Sequence, residues 1–245
     1  MSFCFLGVDL GGEENTWALA LDRATLQPLE ALSFLKGRPV SLSEVREFAE
    51  GNIVLAAALD APLAFSLEDQ KGLRPADRKL REILRETGGD PGWVMSYSAL
   101  MGLPLRALLL AEALSPMVGT ILETHPRAGL FLSLPGLREE VRKYKVRKLS
   151  QEEKRQSCRI LWRALGKMAA DLRKKCAPAS PKDPPFPEPP EPSDGLVDAL
   201  ACALTAATYH LFPEGLCFLP PSSRGFGPFV VLFKVPKLSP PPGEG

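Results

Sequence analysis

The chain has 245 residues, of which 45% are hydrophobic and 24% are charged, and its formal net charge at pH 7 is +1. This length is sufficient for one large domain with a substantial buried core. The overall charge by itself indicates no polyanionic partner, and no apolar run reaches the roughly 18 residues that a membrane span requires. The composition therefore predicts a globular protein with no membrane partner.

The cysteines and the first residues indicate the compartment. The five cysteines contain no CxxC pair and are odd in number, so neither a structural zinc site nor a disulfide framework is expected. The first ten residues have no basic region and no small-residue cleavage site, and they predict a first strand rather than a signal peptide. We therefore expect a cytoplasmic protein.

The first part of the chain alternates short apolar runs with turn residues. Residues 3–10, 16–21 and 29–35 are predicted strands. Their close spacing favours an antiparallel meander, because parallel neighbours need long crossover connections.

A short helix and a buried strand follow. Ser41 and Glu44 form a capping-box pair at the start of a predicted helix over 41–50. Residues 53–59 (IVLAAAL) are continuously apolar, as in a strand that is covered on both faces. Asp60 ends this strand shortly before a proline, which has no N–H to donate.

The remaining core elements are mostly helical. Helices are predicted over 74–87, over 98–114 with a bend near Pro104, and over 150–175. Residues 118–122 (VGTIL) predict one more short buried strand.

A proline-rich segment precedes the last predicted helix. Eight of the chain's 25 prolines fall within residues 177–193, which favours an extended, mobile insertion; a proline-rich docking motif is the alternative. Residues 194–211 then predict an alanine-rich helix, and the apolar runs 215–219 and 228–235 predict an edge hairpin.

This order of elements predicts an α/β fold, with a mixed five-stranded sheet and helices on both of its faces. We expect one domain over residues 1–236, with residues 177–193 as its insertion loop. Residues 237–245 are expected to form a flexible tail.

Three acids lie where such a sheet places functional groups. Asp9 ends the first strand, Asp60 ends the buried strand over 53–59, and Asp198 lies one turn inside the otherwise apolar last helix. Ligands of open α/β sheets bind beyond the strand ends, so Asp9 and Asp60 would share one crevice if their strands are parallel neighbours. A carboxylate that faces the core, as Asp198 would, needs a partner.

Such a cluster favours a divalent cation. Two carboxylates about 4 Å apart repel by about 4 kcal/mol at an effective dielectric constant near 20. Bound Mg²⁺ or Mn²⁺ would relieve this repulsion and needs no His or Cys ligand. Two such metals could activate a water and stabilise the leaving oxygen in phosphodiester cleavage.

Each acid also has a structural alternative. Asp9 and Asp60 are both placed to start a turn. Asp194 is positioned as an N-cap, although it lies four residues before Asp198 and could reach the same metal. Glu123 ends a predicted strand and could join the cluster from the opposite side.

Basic side chains suggest contacts with a substrate. Arg74, Arg78 and Arg81 recur on one predicted helix face and could clamp phosphate, or could pair with neighbouring acids on the surface. His125 could be a proton shuttle or a hydrogen-bonded structural histidine. Residues 138–175 hold fourteen Lys or Arg against five Asp or Glu, which suits a nucleic-acid backbone or simply a solvated helix face.

Five motifs in this order resemble a known family: GVDLGG at 7–12, LDAPLA at 59–64, RPADRKLR at 74–81, ETHPR at 123–127 and DGLVDALACALTA at 194–206. They are similar to the domain of unknown function 429 family, whose members are described as predicted nucleases with a ribonuclease H-like fold. The last motif also resembles the final helix of Holliday-junction resolvases, which carries an active-site acid.

The resemblance implies metal-binding roles for Asp9, Asp60 and Asp198, with Glu123 and Asp194 as further candidates. It implies a nuclease that uses Mg²⁺ or Mn²⁺ and a nucleic-acid partner. Two other functions remain open. One is an ATPase or kinase of the actin and sugar-kinase type, whose first phosphate loop GVDLGG also resembles, and the other is a non-catalytic binding protein that retains the fold.

Overall fold

The structure is a computed structural model that describes residues 2–12, 14–65, 72–100, 102–176, 184–220 and 225–233. Within these ranges the strands are β1 (Phe3–Asp9), β2 (Trp17–Asp22), β3 (Ile53–Asp60), β4 (Ile121–Glu123), β5 (Leu216–Phe218) and β6 (Val230–Leu232). The α-helices are α1 (Leu32–Lys36), α2 (Leu42–Glu50), α3 (Pro75–Thr87), α4 (Leu103–Leu114), α5 (Pro126–Ser133), α6 (Arg138–Lys143), α7 (Gln151–Cys176) and α8 (Asp194–Leu211).

Four strands form a mixed sheet in the order β2-β1-β3-β4. Strand β1 pairs antiparallel with β2 and parallel with β3, and β3 pairs parallel with β4. One face of this sheet forms a hydrophobic core with helices α3, α5, α7 and α8. The opposite face forms a second core with helices α2 and α4. The predicted α/β fold with helices on both faces is therefore confirmed.

The predicted fifth strand over residues 29–35 is wrong. Pro28 makes only an isolated antiparallel bridge with Leu21, and the chain turns at Leu32, whose φ is 50°, into the short helix α1. The buried Ser33 hydroxyl accepts a hydrogen bond from the Ala18 backbone N–H at 3.1 Å. A side chain thus satisfies a donor of β2 that a neighbouring strand would otherwise satisfy.

The predicted C-terminal hairpin is confirmed as a pair but corrected in its position. Strands β5 and β6 pair antiparallel in a separate two-stranded sheet. A parallel bridge between Glu123 and Phe229 joins it to the main sheet, where the Glu123 N–H donates to the Pro228 carbonyl at 3.0 Å.

Two predicted element boundaries also change. The helix predicted over 98–114 begins at Leu103, and Pro104 lies in its first turn, where a proline costs no helical hydrogen bond and causes no bend. The strand predicted over 118–122 begins only at Ile121, because Val118 makes a single parallel bridge with Val54. By contrast, α8 has the predicted bounds, and the Ser41–Glu44 capping box is present on α2.

The described part of the proline-rich segment packs against α7. The Trp162 indole donates to the Pro187 carbonyl at 3.0 Å, the Phe186 ring lies 5.9 Å from the Trp162 ring, and Arg163 pairs with Glu188. The rest of that segment, 177–183, and the predicted tail, 237–245, lie outside the described residues. No helix in the described part of the chain is long and apolar enough to cross a membrane.

Candidate metal centre

Strands β1 and β3 bring Asp9 and Asp60 side by side. The two residues are register partners at the ends of these parallel strands. Side chains alternate between sheet faces, so Asp9 shares the face of Phe5 and Asp60 shares the face of Ala58. Phe5 and Ala58 both belong to the core that α8 covers. Both carboxylates therefore project from the α8 side of the sheet.

Helix α8 approaches this end of the sheet through Gly7. A Cβ atom at Gly7 would lie 2.1 Å from the Ala199 carbonyl oxygen and 2.2 Å from the Ala203 nitrogen, so only glycine permits this packing distance. The close approach carries Asp198, one residue before Ala199, onto the strand end. Ser193 rather than Asp194 is the N-cap, because its side chain accepts from the Leu196 N–H at 3.1 Å; the capping role predicted for Asp194 is wrong.

Three of the predicted acids converge, and we call Asp9, Asp60 and Asp198 the triad. Each offers a carboxylate oxygen, and these oxygens all lie within 4.8 Å of one another. Asp198 is fully buried, whereas Asp9 and Asp60 are partly exposed to the cleft. Asp194 lines the same cleft without belonging to this group.

Burial and repulsion by neighbouring acids disfavour the charged forms of Asp9 and Asp60. Burial raises the pKa of Asp9 well above its usual value, and the charges of Asp198, Asp60 and Asp194 add to the rise, while Lys145 opposes it. Burial likewise raises the pKa of Asp60 to about 7. Without a further cation, Asp9 and Asp60 therefore tend to retain protons near neutral pH, and a divalent ion would displace them.

Lys145 and Tyr144 contact the triad, and the sequence did not single them out. The Tyr144 hydroxyl donates to Asp198 Oδ1 at 2.8 Å, and Lys145 Nζ forms an ion pair with Asp198 Oδ2. Among the described residues, that Oδ2 atom has no partner in hydrogen-bond geometry, so its contact with Lys145 is an ion pair only. Lys145 is one of fourteen basic residues in residues 138–175, and no local pattern separates it from the others.

Glu123 belongs to a different group of charges, which we call the arginine cluster: Arg74, Asp77 and Glu123, all nearly fully buried. The Arg74 guanidinium donates to both oxygens of Asp77, both oxygens of Glu123 and the Ala64 carbonyl. Glu123 also accepts from the Leu63 N–H at 2.8 Å. These contacts use the donors of Arg74 inside the protein, and Glu123 lies outside the triad.

The other predicted substrate contacts also have protein partners. Arg81 Nε donates to the Pro91 and Val94 carbonyls, and an Arg78 N–H donates to the Leu73 carbonyl at 2.9 Å. His125 is the N-cap of α5: its Nδ1 accepts from the Ala128 N–H at 3.4 Å, and its Nε2 lies 3.1 Å from the Trp93 carbonyl. Burial lowers the pKa of His125, which favours a neutral ring with the proton on Nε2.

Through Asp9 and Asp60, the triad opens into a cleft of about 860 Å³. The arginine cluster, His125 and the first turn of α8 line it as well, and basic side chains from the α6–α7 connection and the start of α7 form part of its wall. These basic residues are Lys145, Arg147, Lys154 and Arg155. The predicted basic stripe therefore contributes to the same cleft as the triad.

The donor set suits a hard divalent cation. Three carboxylates supply only oxygen ligands, which Mg²⁺ and Mn²⁺ prefer. The cysteines near the site, Cys158 and Cys202, are buried free thiols whose pKa burial raises, so neither supplies a thiolate for a softer metal.

A family model described as "Protein of unknown function (DUF429)" matches residues 7–223. The matched range includes the triad, the arginine cluster and Lys145. No curated protein and no solved structure matches the chain.

Proposed function

The chain belongs to the family whose model is described as "Protein of unknown function (DUF429)", and we propose that it hydrolyses phosphodiester bonds in nucleic acid with the help of Mg²⁺ or Mn²⁺. The observation that carries this proposal is the convergence of Asp9, Asp60 and Asp198 from two strands and a helix, with their oxygens within 4.8 Å of one another. A divalent cation held there would supply Lewis-acid activation of water and of the scissile phosphate.

The protein's own groups have distinct roles in this proposal. Asp9 and Asp60 are fixed by strand register and open to the cleft, so they would hold the cation on the substrate side. Asp198 would hold it from the core side, oriented by the Tyr144 hydroxyl at 2.8 Å. Asp194 in the first turn of α8 would contribute negative charge from the cleft wall.

Two features favour nucleic acid as the substrate. The basic side chains of the α6–α7 connection and of α7 line the cleft beside the triad, where they can contact backbone phosphates. The order β2-β1-β3-β4, with acids at the ends of β1 and β3 and in the last long helix, supports a ribonuclease H-like architecture. Since fold does not fix function, the substrate must be tested directly.

Purified protein should cleave at least one of single-stranded DNA, duplex DNA, RNA or a branched junction when Mn²⁺ is added. We expect Asp9→Asn and Asp198→Asn to abolish cleavage while the circular dichroism spectrum stays unchanged. Asp171→Asn, which alters an exposed acid paired with Lys174 on α7, is the matched control and should cleave as wild type.

Titration calorimetry with Mn²⁺ and with ATP separates the alternatives. Mn²⁺ binding that Asp9→Asn removes, without ATP binding, supports the nuclease. ATP binding instead would favour an ATPase or kinase. If no substrate is cut and both variants bind Mn²⁺ as wild type does, the proposal is wrong.

A further inference from the structure

Lys145 places a positive charge inside the triad. It lies in the connection between α6 and α7, and its ammonium group forms an ion pair with the fully buried Asp198. Only 28% of its side chain is exposed. The charges of Asp198, Asp9 and Asp60 all stabilise its ammonium form, so Lys145 interacts with every member of the triad.

This contact differs from the other lysine ion pairs of the described residues. In those pairs the acidic partner is at least 23% exposed, and the lysines are Lys36, Lys79, Lys143 and Lys174. Such surface pairs contribute little to stability. Lys145 pairs instead with a carboxylate that has no exposure to solvent. A charge at such a position must be compensated within the site.

The number of charges limits how many metal ions the triad can hold. The three ionised carboxylates carry three negative charges, and the Lys145 ammonium compensates one of them. One divalent cation compensates the remaining two. A second divalent cation would add two positive charges beside the ammonium group, with no further member of the triad to balance them and only part of their charge offset by Asp194 on the cleft wall.

We propose that the Lys145 ammonium is a resident cation of the triad, so that this site binds one divalent ion rather than two. This inference rests on the proposed function, because it requires that the triad binds metal. Lys145 is a positioning residue here: it sets the charge and the stoichiometry of the site through Asp198 and need not contact the substrate.

Mn²⁺ binding to the full-length chain tests this inference without any activity assay. We expect wild type to bind one Mn²⁺ per chain in an electron paramagnetic resonance titration, with the spectrum of an isolated ion. Lys145→Met removes the resident charge and should bind its first Mn²⁺ at least tenfold more tightly. Lys145→Arg keeps the charge and should restore the wild-type affinity. Lys148→Met, an exposed lysine in the same connection, should also behave as wild type.

Thermal unfolding provides a second readout. Without metal, Lys145→Met leaves the buried Asp198 without its counter-charge, so its melting temperature should fall. Saturating Mn²⁺ should then raise that temperature by more than it does in wild type.

Two results would overturn the inference alone: a magnetically coupled pair of Mn²⁺ ions in wild type, or an unchanged or weaker Mn²⁺ affinity in Lys145→Met. If neither wild type nor any folded variant binds Mn²⁺, the proposed function fails as well. The two failures are therefore distinguishable.

Discussion

Asp9 and Asp60 of the triad line the same cleft as the arginine cluster, but the two groups differ in how the protein compensates the charge of their carboxylates. In the arginine cluster, both oxygens of Asp77 and both oxygens of Glu123 accept hydrogen bonds from Arg74. In the triad, Asp198 accepts a hydrogen bond from Tyr144 and forms an ion pair with Lys145, and Asp9 and Asp60 face the cleft.

The pKa values follow the same division. Burial raises the pKa of Glu123, but hydrogen bonds from Arg74 and from the Leu63 N–H oppose the rise. Burial lowers the pKa of Arg74, and its bonds to Asp77 and Glu123 outweigh that effect and raise it overall. A carboxylate whose bonds are completed inside the protein stabilises structure, whereas one left open to a cleft is available to a ligand.

The largest expected effect is on the arginine cluster. Arg74→Met should lower the free energy of unfolding by about 3–5 kcal/mol, because it leaves two buried carboxylates without their counter-charge. Urea denaturation measures this loss. The exposed Lys79→Met, which breaks the surface pair with Glu82, should unfold at the wild-type urea concentration. Adding Glu123→Gln to Arg74→Met should recover part of the loss, and a loss under about 1 kcal/mol for Arg74→Met would show that the cluster is not structural.

A smaller effect is expected at the triad, and it should depend on metal. At a free Mn²⁺ concentration one hundred times the dissociation constant, wild type should gain about 2.7 kcal/mol, or roughly 5–10 °C in melting temperature. Asp9→Asn should lose this gain, yet without metal it should be as stable as wild type, because burial and acidic neighbours already disfavour the charged form of Asp9 and asparagine is a neutral side chain of the same shape. Differential scanning fluorimetry with and without Mn²⁺ measures the melting temperatures of wild type and Asp9→Asn. If Asp9→Asn without metal were destabilised as much as Arg74→Met, the triad would be structural like the arginine cluster.

The pH dependence of Mn²⁺ binding should distinguish the triad further from the arginine cluster. Because the pKa of Asp60 is raised to about 7, its carboxyl holds a proton at pH 6 that metal must displace. Mn²⁺ affinity should therefore increase from pH 5.5 to 7.5, by up to about tenfold per pH unit for one released proton.

The metal-free stability should change in the opposite direction. The folded protein holds this proton more tightly than the unfolded chain, whose carboxyl titrates near 4, so the free energy of unfolding should fall as the pH rises from about 4 to about 7. Asp60→Asn should flatten this decrease. Calorimetry and urea denaturation across the pH range check both trends, and an affinity independent of pH would exclude proton displacement at Asp60.

The smallest effect is expected at Asp194, at the edge of the site. Its charge reaches Asp9 electrostatically, but it is not among the converging oxygens. Asp194→Asn should weaken Mn²⁺ binding by a few-fold, about 1 kcal/mol or less. A loss as complete as that of Asp9→Asn would make Asp194 a direct ligand and enlarge the site.

Much of the fold was accessible from local patterns. Residues 194–211 were predicted as a helix with correct bounds, because its apolar composition and its entry after prolines and a serine are local properties. The false strand over 29–35 shows where local patterns are insufficient. That run is apolar, but Pro28 and the contact of Ser33 with Ala18 turn it into a helix, and this contact spans 15 residues.

The candidate site divides in the same way. Asp9, Asp60 and Asp198 could be proposed from the sequence because each interrupts an apolar element at a strand end or inside a helix. Glu123 has the same local signature at the end of β4, yet it belongs to the arginine cluster. The difference arises from Arg74, 49 residues away in the chain.

The sequence by itself determined which segments are buried and which acids interrupt them, because hydrophobic periodicity and side-chain polarity are local properties of the sequence. Only the tertiary structure decided how those acids group and which basic side chain pairs with each group, Lys145 in the triad and Arg74 in the arginine cluster. Charge compensation depends on distances between residues far apart in sequence: Lys145 reaches Asp198 across 53 residues, and no neighbour of either residue in the chain indicates that they meet.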